Sequence, residues 1–248
     1  MNPSPWAAPI GQEPAQYRNF SLKIVIVTFV ASYAIALFAS SAILIVTGNV
    51  DLIEGNEPKW FLGASALSLW APFLFGLFIV SKKFGTGNFS QDFFLSFRKA
   101  DFLGVPIGIF SQLILVGLVT WPFRLMFPDT FAPELVEKRA VDLFNNATGP
   151  WLIVLVFVVV IGAPFVEELV YRGFIQSGLN ERFSEKVALI IASVWFAGVH
   201  LQLVELPGLL AFALVLGLCF QRTKRLGMSM VAHVAFNATG ILLVAISI

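Results

Sequence analysis

The sequence predicts an all-α fold, a polytopic transmembrane helix bundle of about seven spans. Three observations predict it. Hydrophobic residues fill 58% of the 248 positions and charged residues only 12%. A soluble domain carries about 25% charged residues, so this chain has too few to cover a water-facing surface. The apolar residues also gather in runs of about 20, the length that crosses a bilayer core. Finally, the cations fall unevenly between alternate loops, as they do when loops are sorted across a membrane.

The elements follow in order. Residues 1–20 are polar and Pro-rich and form a flexible tail without the basic start of a signal peptide. The first span covers residues 22–46 and closes at Thr47, Gly48 and Asn49. The second covers 60–80 and closes at Lys82 and Lys83. The third covers 102–121. A loop from 122 to 150 follows, in which Leu135, Val136, Val141, Leu143 and Phe144 alternate with charges as in an interfacial amphipathic helix. The fourth span starts at Trp151 and runs past Pro164 toward Asn180. The fifth covers 187–204, the short sixth 208–221 and the seventh 228–248. The chain thus divides into the tail, an N-terminal membrane region at 21–149 and a C-terminal core at 150–248.

With the N-terminus inside, 12 of the 16 Lys and Arg residues fall on the inner side. Only Lys59, Arg124, Lys138 and Arg139 fall outside. The sequence therefore predicts a cytoplasmic N-terminus and an outer C-terminus, provided that every segment spans. Net charge is +1, which excludes global attraction to nucleic acid. Cys219 is the single cysteine, so no intrachain disulfide forms.

Ionisable groups inside spans are expensive and mark functional sites by default. The last hundred residues hold three clusters. Glu167, Glu168 and Arg172 lie on the fourth span. Glu168 and Arg172 are four apart and pair across one turn; Glu167 is rotated about 100° away. A carboxylate in a low-dielectric cavity is suited to proton transfer near neutral pH. Phe196 and His200 lie on the fifth span, where Phe196 reads as packing. His233 and Asn237 lie one turn apart on the seventh. The two histidines are the only ones in the chain. Glu167 and His200 are equally far from the turn at 181–186. His233 joins their level if that hairpin reaches about 8 residues deeper into the cytoplasm, which sets the cluster roughly 13 Å below the inner interface.

These residues resemble a known family. The run from Ala163 to Gly173 resembles the EExxxR signature of the CAAX prenyl protease and bacteriocin-processing (CPBP) family of intramembrane proteases. Phe196 to His200 resembles its FxxxH motif, and His233 to Asn237 its HxxxN/D motif. The three occur in order on separate spans within residues 150–245. The resemblance implies an intramembrane endopeptidase with its active-site cavity between the last four helices, open to the cytoplasm. It implies that Glu167 activates water with help from His200. His233 and Asn237 would form the oxyanion site, and Glu168 and Arg172 would order the constellation. It implies a peptide or membrane-protein substrate, prenylated in one branch of the family. The expected mechanism is metal-free, since no HExxH helix is present. The zinc alternative would use Glu167, His200 and His233. Competing readings are a proton- or ion-coupled transporter and a non-catalytic membrane scaffold.

Overall fold

The computed structural model describes residues 20–50 and 57–247. The tail and the acidic stretch at 51–56 lie outside the described residues. Eight principal helices follow in order: α1 Leu22–Val46, α2 Phe61–Phe84, α3 Lys99–Met126, α4 Pro133–Asn146, α5 Pro150–Leu179, α6 Glu185–Val199, α7 Leu206–Thr223 and α8 Gly227–Ser247. There is no strand among the described residues. The predicted amphipathic helix of the long loop is α4, which starts on Pro133, a position where the missing N–H costs nothing.

Six of the helices are long and apolar enough to cross a membrane. The seventh predicted span, α6, has 15 residues, or about 22 Å, short of a hydrocarbon core of roughly 30 Å. Its partner α7 resolves what that means for topology. Lys224, just past α7, pairs with Glu185 at the start of α6 at 2.5 Å. The hairpin therefore leaves one face and returns to it however deep it reaches. A short α6 does not invert the loops that follow.

Specific contacts assemble two faces. On the first, the Leu22 N–H donates to Glu181 Oε2 at 3.1 Å and Leu226 N–H donates to Phe94 O. Arg225 there forks onto Asp101, with Nη2–Oδ1 at 2.7 Å and Nε–Oδ2 at 3.1 Å. On the opposite face Lys59 Nζ donates to Thr148 Oγ1 at 2.6 Å, and Asn146 Nδ2 to Glu57 O at 2.8 Å. The loops predicted to lie inside meet on the first, basic face.

Small residues allow the helices to close. A Cβ on Gly104 would stand 2.6 Å from Met228 O, and one on Gly108 only 2.1 Å from Ala232 O. This one-turn glycine pair lets the backbones of α3 and α8 touch, the packing that replaces a hydrophobic drive inside lipid. Below the site, toward the basic face, the core is aromatic. Phe20, Phe93 and Phe174 meet pairwise at 5.5–6.0 Å between ring centroids. With Ile175, Leu179, Phe220 and Leu226 they form a continuous buried layer.

Candidate active site

The site is built from α5, α6 and α8. α5 is not a uniform α-helix; it widens into π-helical turns at Phe157–Gly162 and Glu168–Gln176, wide turns that recur at functional sites. The second stretch carries Glu168 and Arg172, both buried. Arg172 Nη1 lies 3.1 Å from Glu168 Oε1, as the four-residue spacing predicts. Arg172 Nη2 donates to Ala213 O and Gln176 Nε2 to Gly217 O, each at 3.2 Å. Two side chains one turn apart on α5 thus bind two carbonyls one turn apart on α7. The guanidinium also lies over the Phe196 ring at 4.6 Å, a favourable seat for a desolvated cation.

His233 on α8 completes this network. Its Nδ1 is 3.0 Å from Glu168 Oε1, and its Nε2 is 3.7 Å from Glu167 Oε2. The imidazole is hydrogen-bonded to Glu168 and lies close to Glu167. Their environments differ sharply: the Glu168 side chain is 0% exposed and that of Glu167 is 25% exposed. One carboxylate is tied to Arg172 and His233, and the other faces open space.

His200 caps the far end of α6. Its Nδ1 donates to Phe196 O at 2.7 Å, because a carbonyl oxygen only accepts; Nε2 is therefore the nitrogen left to the cavities. Two cavities meet at His200. The first, about 370 Å³, is lined by Glu167, Tyr171, Trp70 and Phe73, together with Tyr33 and Ser40 of α1. The second, about 480 Å³, is lined by Asn237, Gln112, Thr120, Arg124, Gln202 and Glu205, among others. The Nδ2 of Asn237 donates to Val159 O, in the first π-helical turn, at 2.7 Å. One amide hydrogen of Asn237 is thus committed to the scaffold.

The predicted residues do converge, with changes of partner. The sequence pairs Glu167 with His200, and His233 with Asn237. In the structure His233 contacts both glutamates, while His200 shares one cavity with Glu167 and the other with Asn237. The depth condition is met as well. A Cβ on Gly173 would stand 2.9 Å from Phe93 O and 3.4 Å from the Leu226 side chain. That contact sets α8 deeper than the end of α5 and brings His233 level with Glu167. Phe196, read from sequence as packing, is a hub. Its ring lies 5.1 Å from Tyr171, 4.8 Å from His200 and 6.0 Å from His233. The four-residue spacing to His200 was the one signal that marked it. The first cavity also departs from the expectation of a site between the last four helices, since α1 and α2 supply part of its wall.

Of the residues the zinc alternative would use, Glu167 and His233 stand 3.7 Å apart, and His200 shares a cavity with Glu167. Among the described residues no three His, Cys, Asp or Glu side chains are gathered to hold a metal ion. No step below is routed through a metal.

The second cavity reaches the face opposite the basic loops. Arg124, Gln202 and Glu205 lie at the ends of α3 and α6 and before α7, on the side of Lys59 and Thr148. Toward the basic face the buried aromatic layer intervenes. A cytoplasmic N-terminus and a cytoplasm-facing site were both expected. The start of α1 lies on the basic face.

Residues 149–239 match the family described as type II CAAX prenyl endopeptidase, Rce1-like. The match bears out the family resemblance carried by the three motifs and spans α5 into α8. It supports a CAAX-type membrane endopeptidase in general terms. Among curated proteins and solved structures no match is found.

Proposed function

We propose, with the Rce1-like match from α5 into α8 as the premise, that this protein is an intramembrane endopeptidase in which Glu167 activates water. The observation that carries the proposal is the contrast between the two adjacent glutamates. Glu168 is buried against Arg172 and His233; Glu167 faces a cavity beside His200. A buried ion pair orders a site, and a carboxylate left open to a cavity can take a proton.

The steps follow from that division. Glu167 accepts a proton as water attacks the scissile carbonyl carbon. His233, held at Nδ1 by Glu168, stands beside the Glu167 carboxylate. The oxyanion forms toward His200 Nε2 and the second amide hydrogen of Asn237. Preorganised donors of this kind stabilise a tetrahedral intermediate more than its ground state. Glu167 then returns its proton to the leaving amine as the carbon–nitrogen bond breaks. The products are one carboxylate and one amine, and the enzyme is regenerated. In this scheme the two histidines exchange the roles that the resemblance implies.

The substrate is a peptide segment of a membrane protein or membrane-associated polypeptide. The basic loops favour a cytoplasmic N-terminus and an outer C-terminus. The test is incubation of purified protein in detergent with a mixed peptide library, read by mass spectrometry, with metal content measured on the same sample. Wild type should generate new termini and Glu167→Gln should not. Equal cleavage by both proteins would refute the assignment of Glu167.

A further inference from the structure

We infer that the groove between α3, α5 and α8 is a binding site for one anionic phospholipid, with an acyl chain in the groove and the headgroup at Lys99. The inference stands apart from the peptidase reading. The groove shares no lining residue with either cavity at His200.

The groove has a volume of about 540 Å³, and its walls are apolar. Its one side-chain hydroxyl, on Thr239, donates to Ala235 O at 2.7 Å. No side chain in it is left to hold water, so it takes hydrocarbon rather than a hydrated ligand. Small residues give it depth. Gly104 and Gly108 seat α3 directly on the backbone of α8, and Ala235 and Ala238 leave the α8 wall low. Phe102 and Phe165 face the groove from α3 and α5 and are still 69% and 39% exposed. It is therefore open along its side to surrounding lipid.

Its length matches one acyl chain. On α8 the wall runs from Met230 to Leu242, twelve residues or about 18 Å. One leaflet contributes about 15 Å of hydrocarbon, half of the core. A chain lying here thus reaches from the interface to the midplane.

Charge marks the headgroup end. Phe97 lines the groove next to Ser96, whose carbonyl would stand 2.9 Å from a Cβ on Gly227 at the start of α8. That end therefore lies at the basic face. Arg98 and Lys99 follow Phe97, and both are exposed. Along α3, Lys99, Phe102, Val105 and Ile109 recur at three, three and four residues. That spacing keeps them on one face, which carries a cation first and then the apolar wall. Arg225, by contrast, is buried and held by Asp101. The bias of Lys and Arg toward cytoplasmic loops sets this end in the cytoplasmic leaflet, where anionic lipids gather and attract exposed cations.

Native mass spectrometry of the full-length protein in detergent tests the site. The probes are phosphatidylglycerol and phosphatidylcholine with the same acyl chains. The wild type should retain one phosphatidylglycerol, at least about fivefold more tightly than phosphatidylcholine. Lys99→Gln should lower that preference about fivefold, the share of one surface cation. Lys83→Gln, on α2 outside the groove, should leave it unchanged. Ala238→Phe, which fills the groove, should remove the bound lipid without shifting the melting temperature in lipid-free detergent. Equal retention of the two lipids by wild type would overturn the inference. So would an equal loss from Lys99→Gln and Lys83→Gln, which decides the matter even if Ala238→Phe does not fold. A folded Ala238→Phe that keeps its lipid would overturn it as well. A lipid-free wild-type dimer that Ala238→Phe separates would give the groove to a second copy of the chain instead.

Discussion

Glu167 and Glu168 are neighbours in sequence but belong to two different halves of the molecule. The half toward the basic face is packed, and its charges are paired: Glu168 with Arg172 and His233, and Asp101 with Arg225. The other half is open, and its polar groups line cavities: Glu167, His200, Asn237, Gln112 and Arg124. The difference shows how a membrane protein keeps reactive groups at depth. Paired charges hold the scaffold, so that a few groups can be left exposed to chemistry.

The comparison predicts that substitutions separate by half. The largest effect on activity is expected for Glu167→Gln, a loss of about 10²–10⁴-fold in turnover with the melting temperature unchanged. Kinetics and thermal melts on one purified sample check it. On the packed side, Arg172→Ala should cost about 3–5 kcal/mol, because it strands Glu168 without its cation; chemical unfolding in mild detergent reads this. An unchanged unfolding midpoint would break the comparison at its strongest point.

The histidines sharpen it. His200→Ala should lower turnover by about 10²–10³-fold at nearly full stability. His233→Ala should lower turnover and also destabilise by about 1–3 kcal/mol, since Glu168 loses a buried partner. Equal stability for both variants would erase the distinction drawn between them.

A smaller effect tests the basic face outside the spans. Burial alone would raise the Asp92 carboxyl. Hydrogen bonds from Ser81 and from the backbone and hydroxyl of Thr86 outweigh it and hold the group below its ordinary value. A depressed folded-state pKa gives stability that is present above about pH 4 and lost as pH falls through the folded value. Asp92→Asn should therefore lower stability at neutral pH and flatten its acid dependence, with turnover retained. A variant as acid-sensitive as wild type would contradict this.

Much of this division was legible in the sequence. The spans were readable because apolar runs end at cations or at Gly and Asn. The Glu168–Arg172 pair followed from four-residue spacing. The three motifs gave Glu167, Glu168, Arg172, His200, His233 and Asn237, but not the cavity walls from α1, α2 and α3. What the sequence could not give were contacts set by packing between distant segments. Arg225 and Asp101 are 124 residues apart, and nothing local links them. The exchange of histidine partners depends on how deep α8 starts, which the contact of Gly173 with Phe93 and Leu226 decides. The π-helical turns of α5 leave no periodic mark. The open side of the site emerged only once α1, α2 and α3 were in place, since their apolar sequences do not show which residues face inward.

The most direct test of the central claim is a paired measurement on Glu167→Gln and Glu168→Gln. Each would be purified, melted and assayed for peptide cleavage beside wild type. The account predicts a stable, inactive Glu167 variant and a destabilised Glu168 variant. A Glu167 variant that still cleaves, or a Glu168 variant as stable as wild type, would contradict it.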